Sequence, residues 1–103
     1  MDNYAIVRDA IINKQTVIAE YDGFHRELCP HAIGWGKGMM RALFYQSGGE
    51  TSKGTVVANS PGNWRCLEIA KLQITGTRQG WSSVTTTGKR SSCLDTIDFE
   101  ITS

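Results

Sequence analysis

Four basic side chains in the first three quarters of the sequence have the chemistry needed to bind phosphate. They are Arg26, Arg41, Arg65 and Lys71. Guanidinium groups suit phosphate because each can donate two parallel hydrogen bonds to its oxygens. Trp64, beside Arg65, offers a ring face on which a base could stack. We therefore expect an anionic ligand, such as a nucleotide or a short single-stranded nucleic acid. The alternative is that the basic residues form a solvated rim and that the tryptophans belong to the core.

The stretch from Cys29 to His31 offers a second chemistry, metal binding. These two side chains lie two residues apart on a predicted strand and would share a face. With Cys66 and Cys93 they would give zinc three thiolates and one imidazole. No two cysteines are separated by two residues, so buried core thiols are the favoured interpretation and no cofactor is expected. A Cys29 nucleophile with His25 or His31 as its base is the least favoured reading, and we expect a protein that is not an enzyme.

Charge is distributed unevenly along the chain, although the net charge is only +1. Between Lys37 and Arg90 there are eight basic and two acidic residues, whereas the two flanks together hold three basic and eight acidic residues. A basic middle could form an anion-binding surface. It could equally form one half of a barrel whose other half is acidic, and this second interpretation is favoured until the fold is known.

The bulk properties limit the class of protein. A chain of 103 residues fits one domain, residues 1–103, with a modest core. No run of about 18 apolar residues is present, so no transmembrane helix is predicted. The N-terminus lacks the basic and apolar regions of a signal peptide. Three cysteines cannot all pair within one chain, which favours reduced thiols, and we expect a cytoplasmic protein with all three cysteines free.

Periodicity predicts one helix followed by a series of short strands. Helical spacing of apolar residues predicts a helix over Tyr4–Asn13, capped by Asp2 or Asn3. An Asp22–Gly23 turn then joins the first two strands, the second of which sets Cys29 and His31 on one face unless Pro30 introduces a bulge. The predicted strands are Thr16–Tyr21, Phe24–Ile33, Met39–Gln46, Trp64–Leu67, Gln73–Arg78 and Leu94–Ile101. Such a series favours a small, strongly bent sheet or barrel.

Three segments of the chain resemble WYL domains, the Sm-like or SH3-like β-barrel modules of bacterial regulators. The run from Ile6 to Tyr21 is similar to their opening helix and strand. Arg26–His31 has an arginine a few residues before a proline, and Trp64–Leu72 has an arginine and an aromatic residue leading to a basic and an aliphatic residue. Together these cover about residues 6–80. The resemblance implies a mainly β fold: a small SH3- or Sm-like, partly open barrel of five or six strands with one N-terminal helix.

The same resemblance implies a function. It indicates a ligand-sensing, regulatory or accessory module that binds nucleotides or nucleic acid. Arg65 and Lys71 stand at the positions of basic residues that contact the ligand. The chain departs from the pattern because Ala42–Tyr45 stands where the Trp-Tyr-Leu triplet is expected, and no helix-turn-helix domain precedes the module. The alternative from another class is a structural or protein-interaction module that pairs with a second copy or a partner through an exposed barrel edge.

Overall fold

The computed structural model describes residues 2–52, 54–56, 63–81 and 94–100. Its elements are α1 Asn3–Asn13, β1 Gln15–Tyr21, β2 Phe24–Gly36, β3 Met39–Thr51, β4 Gly54–Thr55, β5 Trp64–Glu68, a 3₁₀ turn Ile69–Lys71, β6 Gln73–Gln79 and β7 Thr96–Glu100. The mainly β class with one N-terminal helix is confirmed. The described residues hold seven strands where five or six were expected. No helix within these residues is long and apolar enough to cross a membrane.

The sheet is antiparallel, and its two longest strands change partners along their length. One edge of β2 pairs first with β1 and then with β7. Its other edge pairs with β3, whose far edge pairs with β5 and then with β4. After the 3₁₀ turn the chain returns as β6 to pair with β1. This return places β6 beside β1, so the described strands form one open antiparallel sheet.

The helix covers one side of the sheet and supplies part of the core. The Asp2 carboxylate caps it by accepting a hydrogen bond from the Ala5 N–H at 2.8 Å. Lys14 ends it in the left-handed conformation. Val7 and Ile11 are buried and pack into a continuous apolar cluster. Its other buried members include Ala10, Val17, Ala19, Leu28, Ile33, Ala42, Phe44, Leu67, Ile69 and Leu72.

A bulge in β2 sets which side chains lie on each face of the sheet. Pro30 pairs with Phe44 and Ala32 with Leu43, so His31 is an extra residue with no partner in β3. We call the side packed against α1 the helix face and the opposite side the far face. The helix face carries Val17, Leu28 and Phe44, and the far face carries Cys29, Leu43 and Tyr45. The bulge that Pro30 suggested is therefore present, and it is centred on His31.

Strands β2 and β3 extend beyond their predicted ends at Ile33 and Gln46, because the glycines that follow lie in the sheet. β2 continues through Gly36, and β3 continues through Gly48 and Gly49 to Thr51. Gly49 has φ +89°, and a Cβ there would meet the His25 carbonyl oxygen. Only glycine fits so close a strand approach at that backbone conformation. At the other end, the predicted strand Leu94–Ile101 is found as β7, with residue 101 outside the described residues.

Candidate anion-binding site

Arg26 is a buried arginine near the start of β2, with only 6% of its surface exposed. It pairs with Ala19 across the sheet, which places it on the helix face. Its Nε donates to the Tyr21 carbonyl oxygen and its terminal nitrogen to Gln46, both at 3.3 Å. The guanidinium carbon also lies 5.4 Å from the centre of the Tyr21 ring and 5.7 Å from that of Phe24. These contacts hold the cation in one place without neutralising its charge.

Gln46 anchors this arginine, a role that is not evident from the sequence alone. Its side chain is fully buried. The amide oxygen accepts from Arg26, while the amide nitrogen donates to the carbonyl oxygens of Gly48 and Glu50 at 3.1 and 3.2 Å. All three bonds fix the orientation of the amide. The alternation of side chains along β3 indicates this role, because Gln46 continues the buried row of Ala42 and Phe44. A polar side chain at such a position needs hydrogen-bond partners.

Arg65 is the second arginine on the helix face. It pairs with Phe44 across β3 and β5, and its Nε is buried without a hydrogen-bond partner. Burial lowers the pKa of Arg26, and the nearby charge of Arg65 lowers that pKa further. The ion pairs among the described residues are Lys71 with Glu68 and Arg78 with Glu27. Neither guanidinium group forms an ion pair with a carboxylate in the described part of the chain, although the more distant charge of Asp22 raises the pKa of Arg26.

Lys71 approaches the same region from the 3₁₀ turn. Its ammonium group lies 2.9 Å from the Glu68 carboxylate, and this hydrogen-bonded pair raises the pKa of Lys71. Tyr21 and Asp22 act electrostatically on both Lys71 and Arg26, so both basic groups lie near the end of β1. The Tyr21 hydroxyl accepts from the Glu68 N–H at 3.1 Å and ties β1 to β5. Three of the four predicted basic residues therefore gather around this strand end.

Arg41 and Trp64 do not join them. Arg41 pairs with Glu68 on β5 three positions from the Phe44–Arg65 pair, so strand alternation sets it on the far face. Its Nε is buried without a hydrogen-bond partner. Trp64 pairs with Tyr45 on the far face, where their rings lie 5.3 Å apart. A single patch containing all four basic residues and Trp64 is not what the structure shows.

The far face holds an aromatic cluster around His31. This imidazole is 4% exposed, stacks on Trp81 at 4.3 Å and meets Trp64 edge-on at 4.9 Å. Its Nδ1 lies 2.8 Å from the Cys29 carbonyl oxygen, while its Nε2 is buried without a partner. The Cys29 thiol contacts the hydroxyl groups of Thr16 and Ser47 instead. His31 and Cys29 therefore do not form the arrangement of a base with its nucleophile.

The cysteines differ from one another, which corrects the expectation that all three are reduced. Cys29 is a free, fully buried thiol, as the core interpretation predicted. Cys66 is disulfide-bonded, so its sulfur is not available as a zinc thiolate. Cys93 lies outside the described residues. Within the part of the chain that the structure describes, no group of three or more candidate ligands could hold a metal ion. Cys29, His31 and Cys66 thus do not assemble as the zinc set.

Comparison with models of protein families, with curated proteins and with solved structures finds no match to this chain. Function is therefore inferred from the geometry of the site. The distinctive feature is the pair of helix-face arginines, Arg26 and Arg65, with Lys71 nearby. An arrangement of this kind attracts an anion, because each guanidinium keeps donors that the protein itself does not use.

Proposed function

We propose that this domain binds a phosphate-bearing ligand at Arg26 and Arg65, with Lys71 assisting. The observation that carries the proposal is the proximity of two like charges, neither of which forms an ion pair among the described residues. A buried donor without an acceptor costs about 1–3 kcal/mol, and the Arg65 Nε is one such donor. A bound phosphate would offset the repulsion between the two arginines and supply the missing acceptors.

A nucleotide or a short single strand is the ligand class that we favour. The half-buried ring of Phe24 lies beside the Arg26 guanidinium, close enough to the charged site for a base to stack while its phosphate is held. The WYL-like resemblance supports the same class and suggests a regulatory or accessory role, in which binding is sensed and passed on. On this proposal the protein acts by binding, without chemical conversion of its ligand.

The test is a titration of the purified protein with AMP, inorganic phosphate and a short single-stranded oligonucleotide at two salt concentrations. A charge-assisted hydrogen bond contributes about 1.5–3 kcal/mol, so Arg65→Ala should weaken binding by roughly 10- to 100-fold. Arg65→Lys should also weaken it, because the planar fork is lost although the charge remains. Arg41→Ala is the matched control, since it removes the same charge from the far face.

Three results would contradict the proposal. Binding that Arg65→Ala leaves unchanged would remove Arg65 from the site. An equal loss in Arg41→Ala would indicate a general charge effect. No binding of any of the three ligands at low salt would favour the alternative, a protein-interaction module. That alternative has its own support, because the Trp35 side chain on β2 is 48% exposed and exposed aromatic residues are enriched at protein interfaces.

The cellular location is a separate proposal. A cytoplasmic protein was expected because three cysteines suggested free thiols. The disulfide at Cys66 weighs against that premise, since disulfides persist mainly in oxidising compartments. Alkylation of thiols in freshly lysed cells, followed by mass spectrometry, measures the state of Cys66 directly. A cytoplasmic location predicts that Cys66 is alkylated there, whereas an oxidising compartment predicts that it is protected.

A further inference from the structure

Gln46 lies between the two helix-face arginines. It follows Phe44 by two residues on β3, so both side chains lie on the helix face, and Phe44 is directly opposite Arg65 on β5. Arg65 is therefore a diagonal neighbour of Gln46, and such neighbours lie about 7–8 Å apart. On its other side, Gln46 accepts a hydrogen bond from the Arg26 guanidinium at 3.3 Å. The two cations thus flank one buried amide on three successive strands of the sheet.

Both arginines keep donors that can reach a ligand. A guanidinium has five N–H groups, and Arg26 uses two of them, on Nε for the Tyr21 carbonyl oxygen and on Nη1 for Gln46. The buried nitrogens without a partner in the described residues include the Nε of Arg65. They do not include Nη2 of Arg26 or the terminal nitrogens of Arg65, so these groups retain contact with solvent. An anion at this place can therefore accept from both arginines.

The charge of the arginine pair matches a doubly charged anion. Neither arginine forms an ion pair within the described part of the chain. A phosphate monoester carries a charge of about −1.5 to −2 at pH 7 and has three strong acceptor oxygens. A phosphate within a nucleic-acid strand carries a single negative charge, and two of its oxygens are taken up by esters. A monoester therefore neutralises two guanidinium groups more completely than a diester does.

The depth of Arg26 favours the end of a ligand over its middle. This residue is only 6% exposed, and its partner Gln46 is fully buried. A terminal phosphate continues into the rest of the ligand through one ester oxygen, so it can enter such a site end-on. An internal phosphodiester continues on both sides, and the chain would have to pass close to the side chains that cover Arg26. Burial and charge thus favour the same kind of phosphate.

We propose that the site binds a terminal phosphate monoester, as on a mononucleotide or a phosphorylated strand end, in preference to an internal phosphodiester. This inference rests on the anion site proposed above and specifies the state of the phosphate that it recognises. Arg26 and Arg65 donate to the terminal oxygens from two different strands. The base then lies beside the half-buried ring of Phe24.

The experiment compares AMP with its methyl ester by calorimetric titration at pH 7.5. The two ligands share base, sugar and phosphorus and differ in one ionisable oxygen. AMP should bind roughly tenfold more tightly or better, because the ester removes a charge and a charge-assisted hydrogen bond. Arg65→Ala should reduce this ratio, whereas Arg41→Ala, on the far face, should keep it. If circular dichroism shows that Arg65→Ala is unfolded, Arg65→Lys replaces it and should reduce the ratio because the planar fork is lost.

Proton binding by the phosphate gives a second measurement. The second pKa of a phosphate monoester is about 6, so the doubly charged fraction falls from about 97% at pH 7.5 to about 24% at pH 5.5. The affinity for AMP should therefore fall by up to about fourfold over this range, and the affinity for the methyl ester should fall less. An equal fall for both ligands would overturn the preference for the doubly charged phosphate.

The outcomes separate this inference from the proposed function. If AMP and its methyl ester bind equally tightly and Arg65→Ala weakens both, the anion site stands and the preference for a terminal phosphate is overturned. The preference is also overturned if Arg65→Ala leaves the ratio unchanged, since the phosphate then lies elsewhere. If neither ligand binds, or if adenosine binds as tightly as AMP, the anion site itself is wrong and this inference falls with it.

Discussion

The buried imidazole of His31 should make the stability of this fold depend on pH. Its Nδ1 lies 2.8 Å from the Cys29 carbonyl oxygen, and a carbonyl only accepts, so Nδ1 carries the hydrogen. The neutral ring then leaves Nε2 bare, and this nitrogen is buried without a partner beside Trp64 and Trp81. Protonation would place a charge there with no acceptor. Burial accordingly lowers the pKa of His31 below its ordinary value, although the bond to Cys29 opposes the shift.

The sign of the effect follows from proton binding in the two states. In the unfolded chain the imidazole titrates near its ordinary pKa of about 6.5, whereas the folded chain keeps it neutral to lower pH. The unfolded state therefore binds more protons below about pH 6.5, and the free energy of unfolding falls as the pH is lowered. The slope reaches at most about 1.4 kcal/mol per pH unit. Between about pH 7 and pH 5.5, the loss from this one group cannot exceed about 1.2 kcal/mol, the limit reached if the folded protein keeps the imidazole neutral throughout.

Urea denaturation at a series of pH values measures this loss. His31→Phe keeps an aromatic ring between the tryptophans but cannot titrate, so its stability should change less between pH 7 and pH 5.5 than that of the wild type. The absolute stability of His31→Phe will be lower because the bond to Cys29 is lost. The test therefore compares only how the free energy of unfolding changes with pH. His25→Gln, which removes a histidine with an exposed side chain, is the matched control. Equal slopes in the wild type and His31→Phe would refute the reasoning.

Two further changes test the sheet and the disulfide. Gly49→Ala should cost more than about 2 kcal/mol in urea denaturation, because it combines a positive φ with a Cβ against the His25 carbonyl oxygen. Gly38 has a similar φ but open space around it, so Gly38→Ala should cost only about 1–2 kcal/mol. An equal cost at both glycines would contradict the close approach of β2 to Gly49. Cys66→Ser should lower stability by about 2–5 kcal/mol in the same assay. A reducing agent should then destabilise the wild type but not the variant.

The order of the strands could be predicted because its signals are local. The Asp22–Gly23 pair indicates a tight turn. In the structure both residues have positive φ, and β1 and β2 pair on either side of them. The helix cap at Asp2 is equally local. The lengths of β2 and β3 could not be predicted, because Gly34 and Gly49 are required by neighbouring strands. A Cβ at Gly34 would meet the backbone of Thr96, which is 62 residues away in the chain.

The positions of buried polar side chains are less evident from the sequence than those of apolar ones. Gln46 and Arg26 both lie at positions of β3 and β2 that alternation assigns to the core. In the sequence, Gln46 suggests the end of a strand and Arg26 suggests a surface charge. In the fold they satisfy each other, and the remaining donors of Gln46 reach the carbonyl oxygens of Gly48 and Glu50. These partners exist only once β3 bends beyond Gln46, so the network depends on tertiary structure.

The pairing register of β3 and β5 determines which basic residues lie together, and the sequence does not specify that register. Arg41 and Arg65 both lie on strands, and each is preceded and followed by apolar or aromatic residues. Because β3 and β5 pair with Phe44 opposite Arg65, Arg65 lies on the helix face with Arg26, and Arg41 on the far face. A shift of one residue in this pairing would turn β5 over. Arg65 would then leave Arg26, and the two like charges from which the anion site is inferred would no longer meet.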